Sequence, residues 1–158
     1  MKFLTIKNKI NSLFNINISP QKLALSITVG IIIGISPLIG LSTFILTILI
    51  YVLKLNLFIS QLVQFLVFPL QLILFIPFIK AGEQFFNTNY LPYSYVHFFE
   101  MVRNNPLDTI FHFGIIYIEG AFIWMLISIP LAFFIYNILL SIFSKQFFIV
   151  FQLLKKRK

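Results

Sequence analysis

Thirty-one consecutive uncharged residues separate Lys22 from Lys54, and Pro37 stands near their centre. As one helix they would extend about 46 Å at ~1.5 Å per residue, well beyond a ~30 Å hydrocarbon core. Pro37 lacks an N–H and pushes Ser36 out of the α region, and Gly40 follows as a second weak point. The stretch therefore predicts two half-helices of about four turns each, joined by a Ser36–Gly40 corner. On the first half Ser26, Gly30 and Gly34 recur at four-residue steps; on the second Gly40, Thr43 and Thr47 follow at three- and four-residue steps. Small residues in register let helix backbones approach in lipid, so these six are expected as helix-packing positions. The simplest picture is a broken or re-entrant helical hairpin over 23–53. A single kinked span is the alternative.

Two further apolar runs follow, Leu55–Ile79 and Pro106–Ser144, in a chain of 59% hydrophobic residues and mean hydropathy +0.99. These lengths satisfy the test for spanning segments. The expectation is an all-α integral membrane protein with one membrane domain over 1–158. In it the hairpin packs on a span over 55–79, kinked at Pro69 and Pro77, and on a long C-terminal helix over 106–144. Asn105, Pro106 and Asp108 supply the cap, first position and third position of that last helix. Residues 3–16 place Phe3, Ile6, Ile10, Leu13 and Phe14 on one helical face, so 1–18 reads as an amphipathic cytoplasmic segment. Residues 80–105 read as a polar loop. Tyr90, Tyr93 and Tyr95 suit headgroup level there, and a short amphipathic helix capped by Ser94 runs to Arg103.

The chain carries a net charge of +8, but placement matters more than the sum. Lys2, Lys7, Lys9 and Lys22 precede the first apolar run, and Lys155, Lys156, Arg157 and Lys158 close the chain. The positive-inside rule puts both termini in the cytoplasm. The basic tail over 145–158 is expected to meet anionic lipid headgroups. Nucleic acid is not expected, because these charges flank apolar runs and form no separate basic domain. The first apolar run exceeds a signal-peptide core and ends without a small-x-small cleavage site. With no cysteine there are no disulfides or thiolate ligands. Nucleophile elbow, phosphate loop, metal cluster and paired catalytic carboxylates are all missing, so no enzyme and no cofactor is expected.

Certain motifs carry a resemblance. Ser19-Pro20-Gln21-Lys22-Leu-Ala, then Gly30-x3-Gly34-x2-Pro37-Leu-x-Gly40-x2-Thr43, then Leu53-Lys54-Leu-Asn56-Leu resemble the bacterial membrane family called domain of unknown function 2062. Pro69-Leu-Gln71 and Ile76-Pro77-Phe-x3-Gly82-Glu83 resemble variants of the same family. The likeness covers roughly residues 19–86. The family pattern near Pro69 is more usually Asn-Pro-Leu-Thr, and this chain has Phe68 and Gln71 at those places. The resemblance implies a bacterial inner-membrane protein and assigns no activity.

Asn56, Ser60, Gln64 and Gln71 fall within about a quarter-turn on the second run, with Gln61 at the edge. Amides in hydrocarbon are costly unless paired, so the stripe is expected to face the hairpin. It can serve only to hold helices together. It can also line a polar cavity beside the Ser36–Pro37 break, as broken helices do in transporters. Glu119 is the only acid deep inside an apolar run, with His112 seven residues earlier on nearly the same face. The plainer reading of Glu119 is a side chain near the interface, either protonated or paired with Lys80 or Arg103. Ser36, Pro37, Gln64, Gln71 and Glu119 are the candidate cavity-lining set for a small solute, ion or lipid. A chain this short is expected to assemble at least as a dimer if it transports. The alternative function is a non-transporting scaffold or accessory subunit of an envelope-lipid enzyme.

Two topologies keep both termini inside. In one, 23–53 returns to the cytoplasm, 55–79 spans outward and 108–135 spans back, leaving 136–155 on the interface. In the other, 23–53 spans once, 55–79 returns, and 110–150 crosses twice with its corner at Pro130.

Overall fold

Ser19 opens the first helix: its side chain accepts from the Lys22 N–H at 3.4 Å, and Pro20 occupies the first turn. The computed structural model describes residues 19–88 and 95–155, with side chains over 19–88 and 100–145. The expected amphipathic segment 1–18, Tyr90, Tyr93 and the Ser94 cap lie outside the described residues. So do the side chains of Tyr95, His97 and Phe99 and those of the basic tail Lys155, Lys156, Arg157 and Lys158. The described residues form helices and no strand: α1 (Pro20–Gly34), α2 (Ser42–Leu53), α3 (Leu57–Phe86), α4 (Tyr95–Asn104) and α5 (Pro106–Lys155).

The corner between α1 and α2 is wider than proline alone requires. Gly34 is the last helical residue, Ile35 closes the cap, and Ser36–Leu41 form tight turns with Gly40 at φ +85°. That φ is left-handed and suits glycine, and a side chain there would meet no atom within 4 Å. Gly40 is therefore a turn residue, which corrects its assignment to helix packing. At the far end of α2, Lys54 adopts the left-handed conformation and the Leu55 N–H returns to the Ile50 carbonyl at 2.9 Å. Asn56 then caps α3, accepting from the Ile59 N–H at 2.9 Å.

Partner numbers fix the directions. Ser26 meets Asn56 and Ser60, Gly34 meets Gln64 and Val67, and Ser36 meets Gln71, so α1 and α3 run parallel. Thr47 meets Gln61, while Ser42 and Thr43 meet Gln64, so α2 runs back along α3. Trp124 reaches Ile32 and Tyr117 reaches Ile39, so α5 opposes α1. Ile33, Ile35, Leu46, Phe78 and Trp124 form the apolar centre, gathered around the corner.

Gly30 and Gly34 face α3 as expected for close helix approach. A Cβ on Gly30 would stand 2.7 Å from the Ser60 carbonyl oxygen, and one on Gly34 3.3 Å from the Gln64 Cα. Thr43 and Thr47 differ from the expectation, because both are exposed and receive glutamine side chains. A second close crossing joins α3 to α5, where a Cβ on Gly82 would lie 2.7 Å from the Glu119 carbonyl carbon.

α3 and α5 are long and apolar enough to cross a membrane, and only 22% and 6% of their most apolar windows are buried. α3 continues through Pro69 and Pro77 and overruns the apolar stretch as far as Phe86. Lys80, Ala81, Glu83 and Gln84 are good helix formers, which explains the extra turns. α5 continues through Pro130 for 50 residues, about 75 Å. The chain does not turn back at Pro130, which removes the topology in which 110–150 crosses twice.

Gly82→Ala is expected to lower stability by about 1–3 kcal/mol, since the contact is with backbone that cannot rotate away. Gly114→Ala is the internal control: a Cβ there meets nothing within 4 Å, and helical alanine should leave stability unchanged or raise it by ~0.5–1 kcal/mol. Unfolding of both variants in detergent micelles, followed by circular dichroism, checks the contrast.

Candidate functional site

A helix that breaks frees carbonyls it would otherwise use, and a buried carbonyl without a donor is costly. At this corner three side chains from the longer helices supply donors. Trp124 Nε1 donates to the Ile32 carbonyl at 3.2 Å, Gln71 Nε2 to that of Ser36 at 2.7 Å, and the Tyr117 hydroxyl to that of Ile39 at 3.0 Å. Neither Trp124 nor Tyr117 is singled out by the sequence. Both are clasps on the break. Nothing local in the sequence gives this, because each lies more than seventy-five residues from its acceptor.

Beside these clasps lies a buried polar nest. Ser36, Pro37 and Gln71 are essentially inaccessible, and Gln64 is 5% exposed. Gln64 Nε2 donates to the hydroxyls of Ser42 and Thr43, each at 3.2 Å, at the start of α2. No side chain caps that helix start. Four of the five expected cavity-lining residues, Ser36, Pro37, Gln64 and Gln71, therefore border the break. Ser42 joins them and was missed; its only sequence signal is a position one turn beyond Pro37.

Two polar atoms in this nest have no hydrogen-bond partner among the described residues: Ser36 Oγ and Gln64 Oε1. Turning the Gln64 amide over exchanges its nitrogen and oxygen and still leaves one end unmet. An unmet buried polar group costs ~1–3 kcal/mol.

The rest of the α3 stripe is consumed in holding helices. Ser60 Oγ donates to the Ser26 carbonyl at 3.1 Å, and Ser26 Oγ accepts from the Asn56 N–H at 3.0 Å. Gln61 Nε2 reaches Thr47 at 3.1 Å.

Glu119 stands elsewhere. Its carboxylate is buried and accepts from the Thr88 hydroxyl at 2.8 Å, on the chain just past α3. Gly82 and Gly120 bring the two backbones together at the same level. The structure thus assigns Glu119 a threonine partner in place of Lys80 or Arg103, at the α3–α5 crossing and outside the nest. His112 is half-buried one helical stretch earlier on α5.

Replacing Gln71 with leucine removes the donor from a buried carbonyl at the break and should cost about 1–3 kcal/mol. Tyr117→Phe removes a donor from the exposed side of the same corner and should cost less. Paired unfolding curves for the two variants test this order.

A family model described as an uncharacterised protein conserved in bacteria, domain of unknown function 2062, matches residues 4–147. The match runs well past the motif-bearing stretch, through α4 and most of α5. Neither a curated protein nor a solved structure matches the chain. The glycines, the proline break and the side chains that clasp it all fall within the matched span, and the chain belongs to the bacterial family called domain of unknown function 2062.

Proposed function

We infer that this is a small inner-membrane protein of transport type, which admits a small polar solute, ion or lipid headgroup to the nest beside Ser36 and Pro37. One observation carries the reading: Ser36 Oγ, in the helix break, and Gln64 Oε1, on α3 facing the start of α2, are buried without partners among the described residues. Buried polar atoms are almost always paired, and exceptions mark function or an absent guest. Broken helices presenting backbone and side-chain polar groups at mid-membrane are a recurrent transporter device. Binding and passage need no reaction, so the protein works without catalysis or a cofactor.

The first topology accompanies this reading. α1 and α2, of 15 and 12 residues, are each too short to cross ~30 Å at ~1.5 Å per residue. The bond between Asn56 and Ser26 brings the end of α2 back beside the start of α1. The pair therefore dips in and returns to the cytoplasmic side, α3 spans outward, and α5 spans back with its final turns beyond the core. With two spans and one re-entrant pair, a closed pathway needs a second copy, so the protein works as a homo-oligomer. Its basic tail holds anionic lipid headgroups.

A second reading has its own support. Ser60, Gln61 and Gln71 are all engaged between helices, which suits a scaffold or accessory subunit whose polar groups only secure the bundle.

Single cysteines separate the two, since the natural chain has none. Cysteine at Lys54 should react with an impermeant thiol reagent from the cytoplasmic side, and cysteine at Gln84 from the opposite side. Lys54 labelling from outside with Gln84 labelling from the cytoplasm overturns the re-entrant pair. Cysteine at Ser36 should react with a small methanethiosulfonate in the folded protein, and Gln64→Leu should slow that reaction severalfold. An inert Ser36 position means a dry, packed corner and leaves the scaffold reading in its place.

A further inference from the structure

A cavity of about 300 Å³ opens between α1, α2 and α5, away from the polar nest. Leu25, Val29 and Ile33 line it from α1, Leu49 from α2, and Ala132 and Tyr136 from α5. Its one hydroxyl on α1, Thr28, is already spent on the Ala24 carbonyl at 2.8 Å. Apart from the Tyr136 hydroxyl, the walls therefore offer apolar surface. A guest that fills them must be a hydrocarbon chain.

The end of the bundle next to Leu25 carries two lysines. Lys22, Leu25 and Val29 follow at i, i+3 and i+7, so Lys22 stands on the cavity face of α1, one turn further out. Lys54 is fixed at the same end by two steps of bonding. Ser26 Oγ donates to the Lys22 carbonyl at 2.7 Å and accepts from the Asn56 N–H at 3.0 Å, two residues after Lys54. Both lysines are exposed. All four acids of the chain, Glu83, Glu100, Asp108 and Glu119, belong to the stretch from the end of α3 to the middle of α5. Tyr117 and Trp124 place that part of α5 beside the corner, at the far end of α1 from Lys22. Among the described residues no side-chain carboxylate stands at the end of α1 that carries Lys22. Tyr136, half-buried at the same level, has the amphipathic ring that suits a headgroup boundary.

We propose that this groove is a binding site for an anionic phospholipid, one acyl chain lying between α1, α2 and α5 and the phosphate held by Lys22 and Lys54. The site is separate from the nest, and its occupancy does not depend on what the nest admits. Juxtamembrane lysines each add to the attraction for an anionic headgroup, by ~5-fold in affinity per charge. The acyl chain supplies the rest by filling apolar surface.

Trp124 is the chain's one tryptophan, and its indole bonds to Ile32, a residue of the groove wall. It is a built-in reporter. Purified protein in detergent is titrated with phosphatidylglycerol or phosphatidylcholine, each with brominated acyl chains, and Trp124 fluorescence is followed. Phosphatidylglycerol should quench at a concentration at least tenfold lower. The double variant Lys22→Gln, Lys54→Gln should bring the two lipids together, while Lys80→Gln, on the far part of α3, should leave the preference intact. Ala132→Phe, which fills the groove, should weaken quenching by both lipids. Equal quenching by the two lipids in the natural protein overturns the proposal. Loss of the preference in Lys80→Gln to the same degree also overturns it, since it makes the attraction one of overall charge. The lysine variants alter only exposed side chains, so the test holds even if the filled groove prevents folding.

Discussion

The break at Ser36–Pro37 sets a debt of backbone hydrogen bonds that the rest of the bundle settles. Buried carbonyls freed by a break need donors from elsewhere in the fold. Trp124, Gln71 and Tyr117 provide them. Each demands a register: Gln71 fixes how far α3 slides along α1, and Trp124 with Tyr117 fix α5 against both. The broken segment is thereby the template on which the two long helices are aligned. Their own apolar surfaces, largely unburied, could not specify that alignment.

Close backbone contact does the remaining work, and it is divided between two seams. Gly30 and Gly34 bring α1 against α3, while Gly82 and Gly120 bring α3 against α5. Helices that touch this closely gain dispersion contact along their length, the main attraction available where lipid is as apolar as leucine. The first seam is reinforced by Ser26, Ser60 and Asn56, and the second by the Thr88–Glu119 bond. Glycine supplies proximity and the neighbouring polar groups supply register.

What the sequence disclosed follows from the range of the interactions involved. The corner was legible because Pro37 and Gly40 act on their immediate neighbours. The stripe of Ser60, Gln64 and Gln71 was legible because helical periodicity shows which residues share a face. The seam at Gly82 was not, because Gly82 stands in the charged stretch read as a loop, and a lone glycine there has no periodic companion on its own helix. Its companion, Gly120, is on another. The same reason hid Thr88, which pairs with Glu119 across 31 residues, and made the nearby basic residues seem the natural partners. Thr43 and Thr47 were read as small packing residues because threonine is small. In the structure their hydroxyls matter more, as acceptors for Gln64 and Gln61.

The nest and the clasps differ in a way that bears on function. At the clasps every donor meets a carbonyl, although the partners are far apart in sequence. A chain that achieves this for Ile32, Ser36 and Ile39 has the means to satisfy one more hydroxyl and one more amide end nearby. Ser36→Ala or Gln64→Leu would remove those atoms at little cost in volume, and each orphan burdens the fold by ~1–3 kcal/mol while it stays unmet. An uncompensated burden of that size is a considerable share of a stability that is only ~5–15 kcal/mol in ordinary domains. The two unmet groups beside three met ones are what the proposed transport reading rests on, and a guest that paired with them would remove that burden.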